Sequence, residues 1–245
     1  MTTIKRDIDS PVDASAQLLN SDRIADASVA LLHALTLTEH IESQRDKRER
    51  LGVLAGQCAK AGFEELALMA KADQVVISEA LHETQIMGHE LITLANLFHG
   101  IGNHEVARRL NQRALDIGTA ESDPEMAVAA YTNLAIQDIT QKNFTSALPK
   151  LEKSLRLLSK FESPRNEMIT RAMLVQASDQ LETDHERALQ AARPLFGRLR
   201  SQLSIEQRKE LTEVVERMAQ RYLGANPGTD VTVWKASALP ELWGA

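Results

Sequence analysis

The sequence predicts an all-α, right-handed solenoid of antiparallel helix pairs, and three observations carry that reading. Leu54-Ala55, Leu94-Ala95, Leu134-Ala135 and Leu174-Val175 recur every 40 residues. A second column, Ala67, Ala107, Ala147 and Ala188, keeps the same step with one residue added at its end. Periods of this length mark stacked units that cannot bury their apolar faces without a neighbour. Hydrophobic residues make up 43% of the chain but aromatic ones only 4%, so the core must be built from Leu, Ala, Ile, Val and Met, which suits closely packed helices.

Taken in order, residues 1–20 read as a polar, flexible arm. Ser21 is placed to cap a first helix carrying Ile24, Val29, Leu32 and Leu35. The helical pattern then continues over residues 22–43, 46–61, 63–80, 84–101, 104–118, 124–141, 145–161, 165–182, 185–201 and 205–223. Asp123-Pro124 and Ser163-Pro164 each put a capping side chain before a proline at the first helical position. Ser204 with Gln207 has the form of a capping box. Gly62 and Gly102 fall where a left-handed turn costs glycine least, and Lys142-Asn143 occupies the equivalent place. Pro149 is expected to mark a local start or kink.

These signals define a helical repeat domain over residues 21–223, with core repeats at about 46–200. The 224–245 tail breaks the pattern at Asn226-Pro227-Gly228 and carries Val231, Val233, Trp234, Leu239, Leu242 and Trp243. Such residues are not left bare in water, so the tail is expected to fold back as a cap. Its alternatives are a detachable partner-binding segment or a self-association surface.

A net charge of -6 argues against a general nucleic-acid binder, which needs a concentrated basic footprint. The Arg45–Arg50 run mixes both signs and reads as a solvated helix face. A single cysteine, Cys58, excludes an intrachain disulfide and fits a reducing compartment. The first twenty residues hold Asp7, Asp9 and Asp13 without a continuous apolar stretch, so a cytoplasmic location without membrane insertion is expected.

The columns resemble those of the tetratricopeptide repeat (TPR) superfamily, over about residues 46–200. The best match is Leu91, Leu94, Ala95, Phe98, Gly102-Asn103, Ala107 and Ala114. Tyr131, Leu134, Ala135, Asn143-Phe144, Ala147 and Ser154 repeat it, and Leu51, Leu54, Ala55, Gly62, Ala67 and Val75 precede it. A degenerate fourth unit keeps Leu174, Ala188 and Phe196. Departures from the family pattern are a step of 40 rather than 34, Lys71, Asn111 and Leu151 at the usual aromatic of the second helix, and no closing proline. The extra length is expected to extend both the helices and the loops between units.

No catalytic chemistry stands out. His33, His40, His82, His89, His99, His104 and His185 show no metal-binding spacing, and His89 and His99 lie about 15 Å apart along a helix axis. Gly100-Ile101-Gly102 follows a helix instead of a strand, so it is no dinucleotide fingerprint. Cys58 shares the column of Phe98 and reads as core. No metal, cofactor or catalytic site is therefore predicted, and no enzymatic activity.

His89, Thr93, Asn96 and His99 share a face of one predicted helix. Register maps Thr93 onto Asn133, and the resemblance implies that Asn96 and Asn133 line a concave groove and bond the backbone of an extended peptide. The basic residues with which chaperone-binding relatives grip a terminal carboxylate are replaced here by Ile92, Ile169 and Met173. The groove set is completed by Thr132, Ile136, Ile139, Ile169, Met173 and Gln176, an apolar patch beside amides suited to Leu-like or aromatic anchors. The implied function is an adaptor or scaffold that binds a protein segment. A peptide-responsive regulator and a protein that self-associates through its end repeats or tail are the alternatives.

Overall fold

The computed structural model describes residues 11–15, 17–18, 21, 23–182 and 185–243. Among these, besides a helical stretch at residues 11–15, there are twelve α-helices and no strand. They are α1 (Ile24–Thr38), α2 (Gln44–Lys60), α3 (Glu64–Ala80), α4 (Thr84–Gly100), α5 (His104–Ala120), α6 (Pro124–Thr140), α7 (Phe144–Leu158), α8 (Pro164–Leu181), α9 (His185–Phe196), α10 (Ile205–Ala225), α11 (Val231–Ala238) and α12 (Pro240–Trp243). A 3-10 turn at Arg200–Gln202 replaces the end of the helix expected to reach residue 201.

Helices α2 to α6 are each 17 residues long, and every linker from α2 to α7 has three residues. The 40-residue period is thus two equal halves of twenty. All the length beyond a 34-residue step lies in the helices, and the loops between pairs, expected to lengthen, are as short as those within pairs.

The reason is one repeated helix ending. Gly62, His82, Gly102, Ser122 and Lys142 have positive φ at intervals of twenty residues. At Gly62 the N–H of Phe63 bonds the carbonyl of Cys58 at 2.8 Å, and that of Gly62 bonds Ala59 at 3.2 Å. Glu83 to Ser78, Asn103 to Phe98 and Asn143 to Asp138 repeat the longer bond at 3.0, 2.8 and 2.7 Å. This is the Schellman arrangement, which satisfies the last helix carbonyls through a left-handed residue. At the fifth such turn Lys142, not Asn143, takes that conformation.

A side chain in that conformation costs about 1–2 kcal/mol, part of which glycine gives back as entropy in the unfolded chain. Lys142→Gly should therefore stabilise the protein by about 0.5–1 kcal/mol in urea unfolding.

Other ends follow the sequence in part. Asp123 accepts from the Met126 N–H at 2.9 Å with Pro124 at the start of α6, and Ser204 and Gln207 form the capping box of α10. Ser163 makes no capping bond, and Ser21 instead donates to the Gln17 carbonyl at 3.0 Å. Pro149 lies inside α7, where the helix continues through it. Residues 11–15, placed in the expected flexible arm, are helical, and Val12 packs on a core cluster; residues 1–10 lie outside the described part of the chain.

The chain divides into two compact units, Met1–Glu121 and Ser122–Ala245. In the first, α2, α3, α4 and α5 pack each on the next. Leu54, Cys58 and Ala67 share a core with Leu31 and Ala34 of α1, and Leu51, Ala55, Ala70 and Ile77 form a second cluster. The Cys58 thiol is wholly buried, and burial pushes its pKa up to about 11 despite a backbone hydrogen bond.

In the second unit α8 touches α6, α7, α9 and α10, and their inner faces make one core. Leu239 is wholly buried in it, with Trp234 and Leu242 packed against it. Trp234 also stacks on Tyr222, ring centroids 4.8 Å apart. The Leu54, Leu94, Leu134 and Leu174 column and the alanine column are buried throughout. Alanines there let neighbouring helices approach while the leucines fill the space between them.

Candidate functional site

The fold leaves the outer faces of α4, α6 and α8 available, and each was read from sequence as part of a groove. In the first unit, His89, Thr93 and Asn96 are exposed on one stripe of α4, with Gln85 extending it. The Thr93 hydroxyl donates to the His89 carbonyl at 3.2 Å.

His99 departs from that stripe. It is half-buried and turned toward His104 at the start of α5, with the two Nδ1 atoms 3.1 Å apart. Burial, then the neighbouring His104, hold its pKa below the ordinary histidine value. His104 is a member of this pair that sequence reading missed.

In the second unit, Asn133 and Ile136 are half-buried on α6, and Ile169, Met173 and Gln176 are half-buried on α8. The α8 residues lie 40 positions beyond Ala129, Asn133 and Ile136, and α6 and α8 touch, so the two sets stand at equivalent register on neighbouring helices. Ile139, Ile169 and Met173 also rest on the core beneath. Apolar surface and two amides thus share one face.

Thr132 is a correction. It is 5% exposed, and its hydroxyl lies 2.9 Å from that of Ser154 and 3.1 Å from that of Thr170. One residue along a helix is a rotation of about 100°, which carries position 132 from the Asn133 face into the interior. Thr132 fastens α6 to α7 and α8 and cannot line a groove.

The charged run at the start of α2 is a second correction. Arg48 is buried, bonded to Glu83 and 3.9 Å from Glu90; Arg45 bonds Glu83 at 2.8 Å and Lys47 bonds Glu39 at 3.1 Å. These contacts withdraw Lys47 and Arg48 from water, whereas the Arg45 side chain stays 70% exposed, so the expected solvated face holds only in part. Ser78 donates to Glu90 at 2.6 Å, Gln74 donates to the Arg48 carbonyl at 2.8 Å, and Lys71 donates to Gln74.

Lys71 therefore stands at the usual aromatic position as part of a buried polar knot joining α2, α3 and α4. Burial raises the Glu90 pKa and lowers that of Lys71, while their mutual attraction opposes both shifts. In the second unit, burial alone would raise Glu167, but bonds from Arg198 and Arg171 outweigh it and hold the carboxyl below its usual range. These networks tie helices to one another through partners distant in sequence.

Helix pairs in tandem with alanine and leucine columns give a TPR-like fold, and comparison with solved structures agrees. A putative kinesin light chain of Podosopora anserina with nearly identical TPR-like repeats is similar at TM-score 0.58 and 14% identity, covering 93% of this chain and 99% of that one. BtubC (BKLC) from P. vanneervenii is similar at TM-score 0.56 and 14% identity, covering 92% and 93%. At that identity the likeness speaks of the fold alone. No family model matches the chain, and no curated protein matches it. Among the described residues no helix is long and apolar enough to cross a membrane.

Proposed function

We propose that this chain is a non-enzymatic, cytoplasmic interaction module that binds a peptide or partner segment as an adaptor or scaffold. The observation that carries the reading is the face of α6 and α8. Ile136, Ile169 and Met173 offer half-buried apolar surface for aliphatic or aromatic anchors, while Asn133 and Gln176 supply amides able both to donate and to accept. On α4, Asn96 and Thr93 offer the same chemistry to a peptide backbone.

The commitment of Arg45, Lys47 and Arg48 to carboxylates weighs against a nucleic-acid partner. Burial of Leu239 favours the tail as a cap over self-association or a detachable segment.

The test selects a peptide from a random library on the full chain and measures its affinity for Asn133→Ala with Gln176→Ala. Each lost amide bond is expected to cost about 1 kcal/mol, so the pair should weaken binding roughly thirtyfold, with helical circular dichroism intact. Unchanged affinity would reject the assignment.

A further inference from the structure

The rings of His99 and His104 meet in a tilted arrangement, with centroids 4.8 Å apart and planes inclined by 53°. Their separation is set by a rigid turn. Gly102 takes φ +81, Asn103 bonds back to the Phe98 carbonyl at 2.8 Å, and the Asn103 side chain caps α5 through the Val106 N–H at 3.3 Å. The two imidazoles are thus presented together by backbone that is hydrogen-bonded on both sides.

A 3.1 Å nitrogen contact admits two uses, a shared proton or a shared ion. A five-membered ring with bonds of about 1.35 Å has a radius of about 1.15 Å, so two imidazoles sharing a proton end to end would hold their centroids about 5.4 Å apart. The observed 4.8 Å is shorter, so the nitrogen lone pairs are inclined to the line that joins them. An ion about 2.05 Å from both nitrogens, the usual length for imidazole ligands, would subtend an angle of about 98° and place the centroids about 4.8 Å apart. That angle lies between the octahedral and tetrahedral values.

We propose that His99 and His104 chelate one divalent transition-metal ion, Zn²⁺ or Cu²⁺, through their Nδ1 atoms, joining the end of α4 to the start of α5. Imidazole nitrogen suits these ions. No group of three or more His, Cys, Asp or Glu donors that could hold a metal comes together among the described residues, so water fills the remaining positions. Both rings are half-buried.

The test is calorimetric titration of the tag-free full chain with ZnCl₂ and CuCl₂, with electron paramagnetic resonance of the copper form. One equivalent should bind, the copper spectrum should show two nitrogen ligands, and affinity should fall as pH is lowered through the histidine range. His99→Ala and His104→Ala, each checked for helicity by circular dichroism, should each weaken binding by roughly tenfold or more, since a chelate becomes a single ligand. His89→Ala, exposed on the same helix, should leave it unchanged. The site is refuted if wild type takes up no equivalent, or if either ring can be removed without loss. Because this test contains no peptide, its outcome is independent of the groove.

Discussion

Replacing Arg217 and Arg221 together by alanine should destabilise the second unit by about 3 kcal/mol at neutral pH, within the range for stripping a buried charge of its partners. Asp179 is 3% exposed near the end of α8. Arg221 donates to its carboxylate at 2.8 Å and to its backbone carbonyl at 2.9 Å, and Arg217 donates to the carboxylate at 3.0 Å. The arginines themselves are half-exposed and would be comfortable in water, so the cost lies with the carboxylate left behind. Adding Asp179→Asn to the double variant should therefore recover much of the loss, a non-additivity measurable by urea unfolding. If the three substitutions add, the clamp between α8 and α10 is not what holds Asp179.

Leu239→Ala should cost about 2–5 kcal/mol, a core-sized effect from a position near the chain's end. The side chain is wholly buried in the core of the second unit, and its removal leaves a cavity there. The tail also meets α9 through Glu241, 3.5 Å from Arg193. In a repeat array, loss of a cap acts first on the neighbouring pair, so hydrogen exchange should rise in α9 and α10 before it rises in α6. A substitution costing under about 0.5 kcal/mol, the range of ordinary surface changes, would mean that the tail is an appendage.

Much of the fold was legible because it rests on columns. Leu54, Leu94, Leu134 and Leu174 and the alanines thirteen or fourteen residues after them are spaced by the packing they serve, and all are buried. The half-period was hidden. Only Gly62 and Gly102 announce a left-handed turn by residue type, whereas His82, Ser122 and Lys142 adopt it because the backbone bonds of the helix ending outweigh the cost at Cβ.

The site was legible in the same proportion. Helical spacing placed His89, Thr93 and Asn96 on one exposed stripe, but it could not separate Thr132 from Asn133 when a single residue decides between interior and surface. The His99–His104 pair spans a turn, where helical spacing says nothing about which rings meet. Arg48 was read as part of a solvated face, and Glu90 and Asp179 drew no reading, because their partners lie 12 to 42 residues away on other elements, beyond any local pattern.

The most direct measurement is methyl NMR of isoleucine- and methionine-labelled protein titrated with a library-selected peptide. The account predicts shifts concentrated at Ile136, Ile169 and Met173, with the exposed Ile24, Met69, Ile101 and Ile205 unchanged. Shifts confined to those four residues, with the α6 and α8 methyls undisturbed, would contradict it.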